Sequence, residues 1–198
     1  MFVLTVDQVG SQQDVDRVGA LEDDAERWRA AGAVLGPDRT AGDEFQLVLP
    51  EAEAALQAVL ELTRDAGWSV GVGVGGVAEP LPASTREARG PAFVAARAAV
   101  EAAKRAQHRV DVRADDETAA GDATALLQLL LDVRARRSEE GWAVADRLRA
   151  GLTQAQIADE EGVTPQAVSQ RARAAGIRLE EAAVPALARL LARLDGAA

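Results

Sequence analysis

The chain has 198 residues, a net charge of −10, 48 % hydrophobic residues and no cysteine. That length and apolar content can bury a core in one medium domain or two small ones, and they exclude a disulfide framework and a thiolate metal site. The single histidine, His108, is expected at the surface and leaves no basis for a histidine metal site or a Ser-His-Asp triad.

The β-branched run FVLTVD reads as a buried strand ending on Asp7. Acid and glycine follow at once, so no secretory leader is expected. ALLQLLL, the longest apolar run, is too short to span a bilayer, and a cytoplasmic protein is expected. A helix is expected from about Asp14 to Ala31, with Val15, Val18, Leu21, Ala25 and Trp28 as its apolar stripe. AGAVLG reads as a short strand, PDRTAGD as a turn and EFQLVLP as the returning strand of a hairpin. Pro50 starts a helix over 51–66, with Ala55, Val59 and Leu62 inward, and Gly67 ends it. WSVGVGVGGV alternates Val and Gly at period two, which predicts a strand with one bare face open to another backbone or a ligand. It is no dinucleotide fingerprint, because the spacing is wrong and no helix follows directly. Pro91 opens a helix to about Arg105, and RVDVR is a last strand.

The order β-α-β-β-α-β-α-β resembles a ferredoxin-like (nucleotidyl-cyclase-like) sandwich over residues 1–113, with helices on one face of the sheet. ADDETAAGD, residues 114–122, reads as a linker, and 123–198 as an all-α domain, so the fold class is α+β. Charge divides in a similar way. Residues 1–133 carry 23 acidic and 12 basic side chains, whereas 134–178 carry eight arginines and six acids. The two regions are expected to meet different partners.

The tail holds the most specific motif, LTQAQIADEEGVTPQAVSQRARAAGI, which reads as a helix-turn-helix at 153–175. Thr153 can cap the first helix, Ile157 and Ala158 face inward, and Gly162 supplies the left-handed turn. Thr164 caps the second helix with Pro165 in its first turn, and Val163 and Val168 close the core. Thr164, Gln166, Ser169, Gln170, Arg171 and Arg173 are then the candidate DNA-binding residues. Gln and Arg suit base edges, and Ser and Thr suit phosphate. Arg171 falls at an apolar position of the pattern, so its stem is expected across the edge of the core. A helical hairpin used only for packing is the bland alternative. AAVPALARLLARL is a further amphipathic helix that packs on the motif or pairs with a second subunit.

At the front, Asp7 ends the first strand, and Asp43 and Glu44 sit at the hairpin. If the strands are neighbours, three carboxylates converge at one edge, where Mg²⁺ would find oxygen ligands and take phosphate oxygens from a nucleotide. Solvated turn acids, a bound metal or nucleotide without turnover, and catalysis all stay open. Arg97 and Lys104 are the candidate phosphate contacts, and each could instead serve a local acid or the helix dipole.

RTAGDEFQLVLP resembles the signature hairpin of the diguanylate cyclase (GGDEF) domains, and SVGVGVGGV and AARAAVEAAKR follow in the order those domains use. The resemblance implies Asp7 and Asp43 as metal ligands and Glu44 as the catalytic acid-base residue if the chain is an enzyme. Ala41 replaces the first Gly of that motif, and His108 stands where an Arg is expected. A wider resemblance is to the SatD family of bacterial proteins. It is carried by VDQVGSQQ, by Gly42 through Gln46, by Gly90 through Phe93 with Arg97, and by the helix-turn-helix. It implies the two-part layout and a link to gene regulation.

The leading expectation is therefore a DNA-binding transcriptional regulator, a homodimer, whose degenerate cyclase-like domain senses a ligand or serves dimerisation. The runner-up is a Mg²⁺-dependent nucleotidyl cyclase or nucleotide-phosphoryl transferase, and a third reading is an adaptor whose helical tail binds protein.

Overall fold

A computed structural model of the chain describes residues 1–10, 18–19 and 25–196. Among the described residues it is a mixed α/β structure, with a five-stranded mixed sheet and eight helices. In chain order these are β1 (Phe2–Gln8), α1 (Ala25–Ala30), β2 (Leu35–Ala41), β3 (Glu44–Leu49), α2 (Ala52–Leu62), β4 (Trp68–Val74), α3 (Pro91–Ala103) and β5 (Val110–Arg113). The helices α4 (Glu117–Ala135), α5 (Glu139–Arg149), α6 (Gln154–Glu161), α7 (Pro165–Ala174) and α8 (Ile177–Asp195) follow. The start of the helix expected from Asp14, with Val15 and Leu21, lies outside the described residues.

The sheet order is β2-β3-β1-β4-β5. β1 runs antiparallel to β3 and β4, and β4 is parallel to β5. A parallel pair needs a crossover, and α3 supplies it. Side chains alternate across the sheet, and the register sets Val3, Thr5 and Asp7 of β1 beside Gly73, Gly71 and Ser69 of β4 on one face. α3 lies on that face. A Cβ on Gly71 would strike the Val100 and Ala96 backbone, and one on Gly73 would strike Ala92 and Ala96. The backbone that approaches the bare strand is thus a helix, met by its small residues Ala92, Ala96, Ala99 and Ala103. The other face carries Phe2, Leu4, Val6, Phe45, Leu47, Val70 and Val72, all buried, and Phe45 meets Trp68 edge to face at 5.4 Å. Both faces of β1 are therefore covered, which corrects the expectation of a sheet covered on one face.

The hairpin is tighter than its sequence suggests. β2 continues through Pro37–Thr40, expected as a turn, and only Gly42 and Asp43 connect it to β3. β2 is an edge strand whose register shifts twice, and an edge tolerates a proline that a central strand would not. Gly42 has φ +59°, which suits it to the turn.

Residues 114–122 are not a linker for most of their length. Asp116 Oδ1 accepts from the Ala119 N–H at 2.9 Å, and α4 begins at Glu117. An acidic residue at that point is a helix start, which composition alone does not separate from a loop. The chain divides into two compact units, 1–128 with 186–198, and 129–185. Both crossings between units fall inside helices, α4 and α8. The second half of α8 belongs to the sheet unit, where Leu187, Leu191 and Leu194 are buried at helical spacing.

Candidate functional site

In the sheet unit, one face of the sheet grows more polar toward the hairpin. Val3 and Val48 are apolar, Gln46 Nε2 donates to Thr5 Oγ1 at 3.0 Å, and Asp7 stands directly opposite Glu44. Two carboxylates side by side repel unless cations answer them. α3 carries the answer. Arg97, Glu101 and Lys104 follow one another at four and three residues, so they form one stripe of the helix. Arg97 Nη1 donates to Glu44 Oε2, and Thr40 Oγ1 donates to Glu44 Oε1. Lys104 Nζ lies 2.9 Å from Asp7 Oδ2 and 3.0 Å from Glu101 Oε1. Burial works against the Lys104 ammonium, but its hydrogen bonds to Asp7 and Glu101 prevail and raise its pKa; the bond from Lys104 lowers that of Glu101. Glu44 is only 4 % exposed, and its partner guanidinium reaches solvent. Next to them Arg109 Nη1 donates to the buried Ser69 hydroxyl at 3.0 Å.

The Asp43 carbonyl accepts from the Gln8 N–H at 3.1 Å, which closes the hairpin onto β1. Among the described residues no group of three or more His, Cys, Asp or Glu could hold a metal. Asp7 and Glu44 do meet as cross-strand neighbours, but they and Asp43 do not make up such a three-carboxylate group. Both Glu44 oxygens and one Asp7 oxygen accept from the chain's own groups, so a Mg²⁺ there would compete with Arg97, Thr40 and Lys104 for them. The proposed phosphate contacts Arg97 and Lys104 are brought to the carboxylates, where they act as counter-ions. The i, i+4, i+7 spacing of Arg97, Glu101 and Lys104 was the signal for this; that they face Asp7 and Glu44 follows only from the packing of α3.

The helical unit contains the other candidate. Thr153 forms a capping box: its hydroxyl accepts from the Gln156 N–H at 3.3 Å, and its own N–H donates to Gln156 Oε1 at 2.9 Å. Gly162 ends α6 at φ +66°. Thr164 Oγ1 accepts from the Ala167 N–H at 3.2 Å and Pro165 opens α7. Ile157, Ala158, Val168, Ala172, Val144 and Ala145 share one core, with Val163 and Leu148 packed against it. That leaves Thr164, Gln166, Gln170 and Arg173 exposed and Ser169 half-buried on α7. Arg171 departs from them: its Nη1 is 2.6 Å from Glu161 Oε2, and it ties α7 to α6.

Sequence reasoning missed what anchors the far end of α7. Arg137 Nε donates to the Ala175 carbonyl at 2.7 Å, just past the last turn of α7. Its side chain is fully buried, stacked 4.7 Å from the Trp142 ring centroid and paired with Glu180. Arg134 pairs with the same carboxylate and also lies over Trp142; burial pushes its pKa down to about 10, so it stays charged at neutral pH. A guanidinium at a helix C-terminus is favourable twice over, as a donor to a free carbonyl and as a positive charge at the negative end of the dipole.

No helix among the described residues is long and apolar enough to cross a membrane. Comparison with protein-family models, with curated proteins and with solved structures finds no match to the chain.

Proposed function

We propose that the protein is a DNA-binding transcriptional regulator of the cytoplasm, acting as a homodimer, in which α6 and α7 form the helix-turn-helix and α7 enters the major groove. The observation that carries this reading is the division of α7: Val168 and Ala172 are buried, while Thr164, Gln166, Gln170 and Arg173 are exposed. Side chains of those types can read adenine and guanine edges or hold phosphate. In a dimer, half-sites would lie about 34–36 Å apart.

In this reading the sheet unit is a ferredoxin-like, cyclase-derived platform for sensing or dimerisation. The strand order around β1 and the resemblance to SatD proteins support it, and so does the engagement of Asp7 and Glu44 by Lys104 and Arg97. The nucleotidyl-transferase reading rests on the placement of Asp7 opposite Glu44 and would need these ion pairs to open.

The test is selection from a random duplex pool, followed by titration of the enriched duplex. Wild type is expected to retain a defined sequence, and Arg173→Ala to lose about tenfold or more in affinity. Equal retention of every duplex, or an unchanged Arg173→Ala, would remove α7 from this role. Labelled GTP or ATP with Mg²⁺ or Mn²⁺ tests the runner-up: a product that Asp43→Asn abolishes would favour the enzyme.

A further inference from the structure

The helical unit has a cleft of about 500 Å³ where α7 passes through Gly176 into α8, within the range of about 300–1,000 Å³ usual for small-molecule sites. Leu148, Ile177 and Leu179 supply apolar lining, and Arg173, Arg178 and Glu181 supply charge. Leu179 is 64 % exposed, so an apolar ligand laid on it removes a large side chain from water. Arg173 and Arg178 are also exposed. Among the described residues neither pairs with a carboxylate, whereas Arg147, Arg149 and Arg171 of the same unit all do. Two guanidinium groups against the one carboxylate of Glu181 leave the lining positive. The first turn of the 19-residue α8 adds the positive end of its dipole, since Gly176 and Ile177 line the cleft too.

We propose that this cleft binds a small apolar monoanion, its hydrocarbon body on Ile177 and Leu179 and its carboxylate or sulfonate held by Arg178 and Arg173. The site does not depend on the DNA reading, but it overlaps the DNA surface and supplies that reading with a control. Ser169 and Arg173 line the cleft and also stand on the α7 surface assigned to the duplex, so an occupied cleft withdraws both from DNA.

The test titrates the full chain with 1-anilinonaphthalene-8-sulfonate, and in parallel with the uncharged N-phenyl-1-naphthylamine. Saturable sulfonate fluorescence is expected, weakened about tenfold by Arg178→Ala and weakened also by Leu179→Ser. The uncharged probe should not respond to Arg178→Ala. Melting temperatures establish that each variant is folded. Arg178→Lys keeps the charge and should recover most of the affinity, which covers the case of an unfolded alanine variant. Equal sulfonate affinity in wild type, Arg178→Ala and Leu179→Ser overturns the site. Arg178 is not among the residues assigned to DNA, so losing this site leaves that assignment intact, and losing DNA binding leaves this site intact.

Discussion

Arg171 Nη1 lies 2.6 Å from Glu161 Oε2, and Arg147 reaches the same carboxylate at 3.2 Å. One glutamate near the end of α6 thus joins α6, α7 and α5, and it withdraws from the DNA-facing set an arginine that the sequence motif had placed there. Arg173, two residues on, has no such partner among the described residues. Arg171→Ala is therefore expected to cost stability, about 0.5–1 kcal/mol for a partly exposed pair, with a small effect on duplex affinity. Arg173→Ala should do the reverse. Thermal melts and duplex titrations of both variants separate the two roles.

The salt dependence of DNA binding should be shallow. Most arginines of the helical unit are already neutralised, leaving Arg173 as the unpaired arginine of the DNA-facing set. Each neutralised phosphate contributes about −0.9 to the slope of log K against log salt. A slope of about −1 per helical unit is expected, or about −2 for a dimer. A slope of about −7 would mean that the ion pairs of Arg147, Arg149 and Arg171 break on binding.

Gly73→Ala should unfold the sheet unit or destabilise it severely, by about 3 kcal/mol or more. The added methyl meets backbone atoms of Ala92 and Ala96, which cannot swing away as a side-chain tip could. Gly121→Ala is the control, because no atom lies near its Cβ position and alanine is the better helix former there. Urea denaturation should show a large loss for the first and none for the second.

Removing Arg97 strands the buried Glu44 carboxylate. Arg97→Ala is expected to cost about 2–3 kcal/mol, more than a surface pair would, because the penalty falls on the glutamate that stays behind. Arg97→Ala combined with Glu44→Gln should recover part of the loss, since the amide has no charge to leave unpaired. A double-mutant cycle in urea measures the coupling, and strict additivity would show that the two residues do not stabilise each other.

Lys104 makes stability depend on pH at the alkaline end. Its pKa is raised in the folded state, so the stabilisation is complete below the ordinary lysine value of 10.5 and drains away as pH rises through the folded value. The difference in urea midpoint between wild type and Lys104→Met should be steady across about pH 6–9 and shrink above about pH 10.5. Glu101 acts with the opposite sign: its pKa is lowered, so its share is present above the ordinary carboxylate value and lost as acid protonates it.

Local chemistry made much of this protein readable from its sequence. A β-branched apolar run marked β1 and a period-two Val and Gly run marked β4, Gly42 marked the hairpin, and Thr153, Gly162, Thr164 and Pro165 marked both ends of α6 and the start of α7. Each of these signals acts within a few residues, through side-chain alternation, a left-handed backbone or an N–H left unpaired at a helix start. The limits appeared where two local meanings coincide. An acidic, small-residue stretch suits a linker or a helix start, and it proved mostly the latter.

Tertiary structure alone decided which charges meet. Arg97 and Lys104 had the right residue types for phosphate, yet α3 is drawn against β4 by Gly71 and Gly73, and that packing carries both cations to Glu44 and Asp7. Arg137 and Glu180 lie 43 residues apart, and nothing in either neighbourhood points to the other. Coulomb attraction depends on distance in space, and a buried charge must find a partner wherever the fold brings one. The sequence by itself therefore determined the elements and their caps, while the packing of helices on the sheet and on one another decided which charged groups are held in pairs and which remain open to a partner.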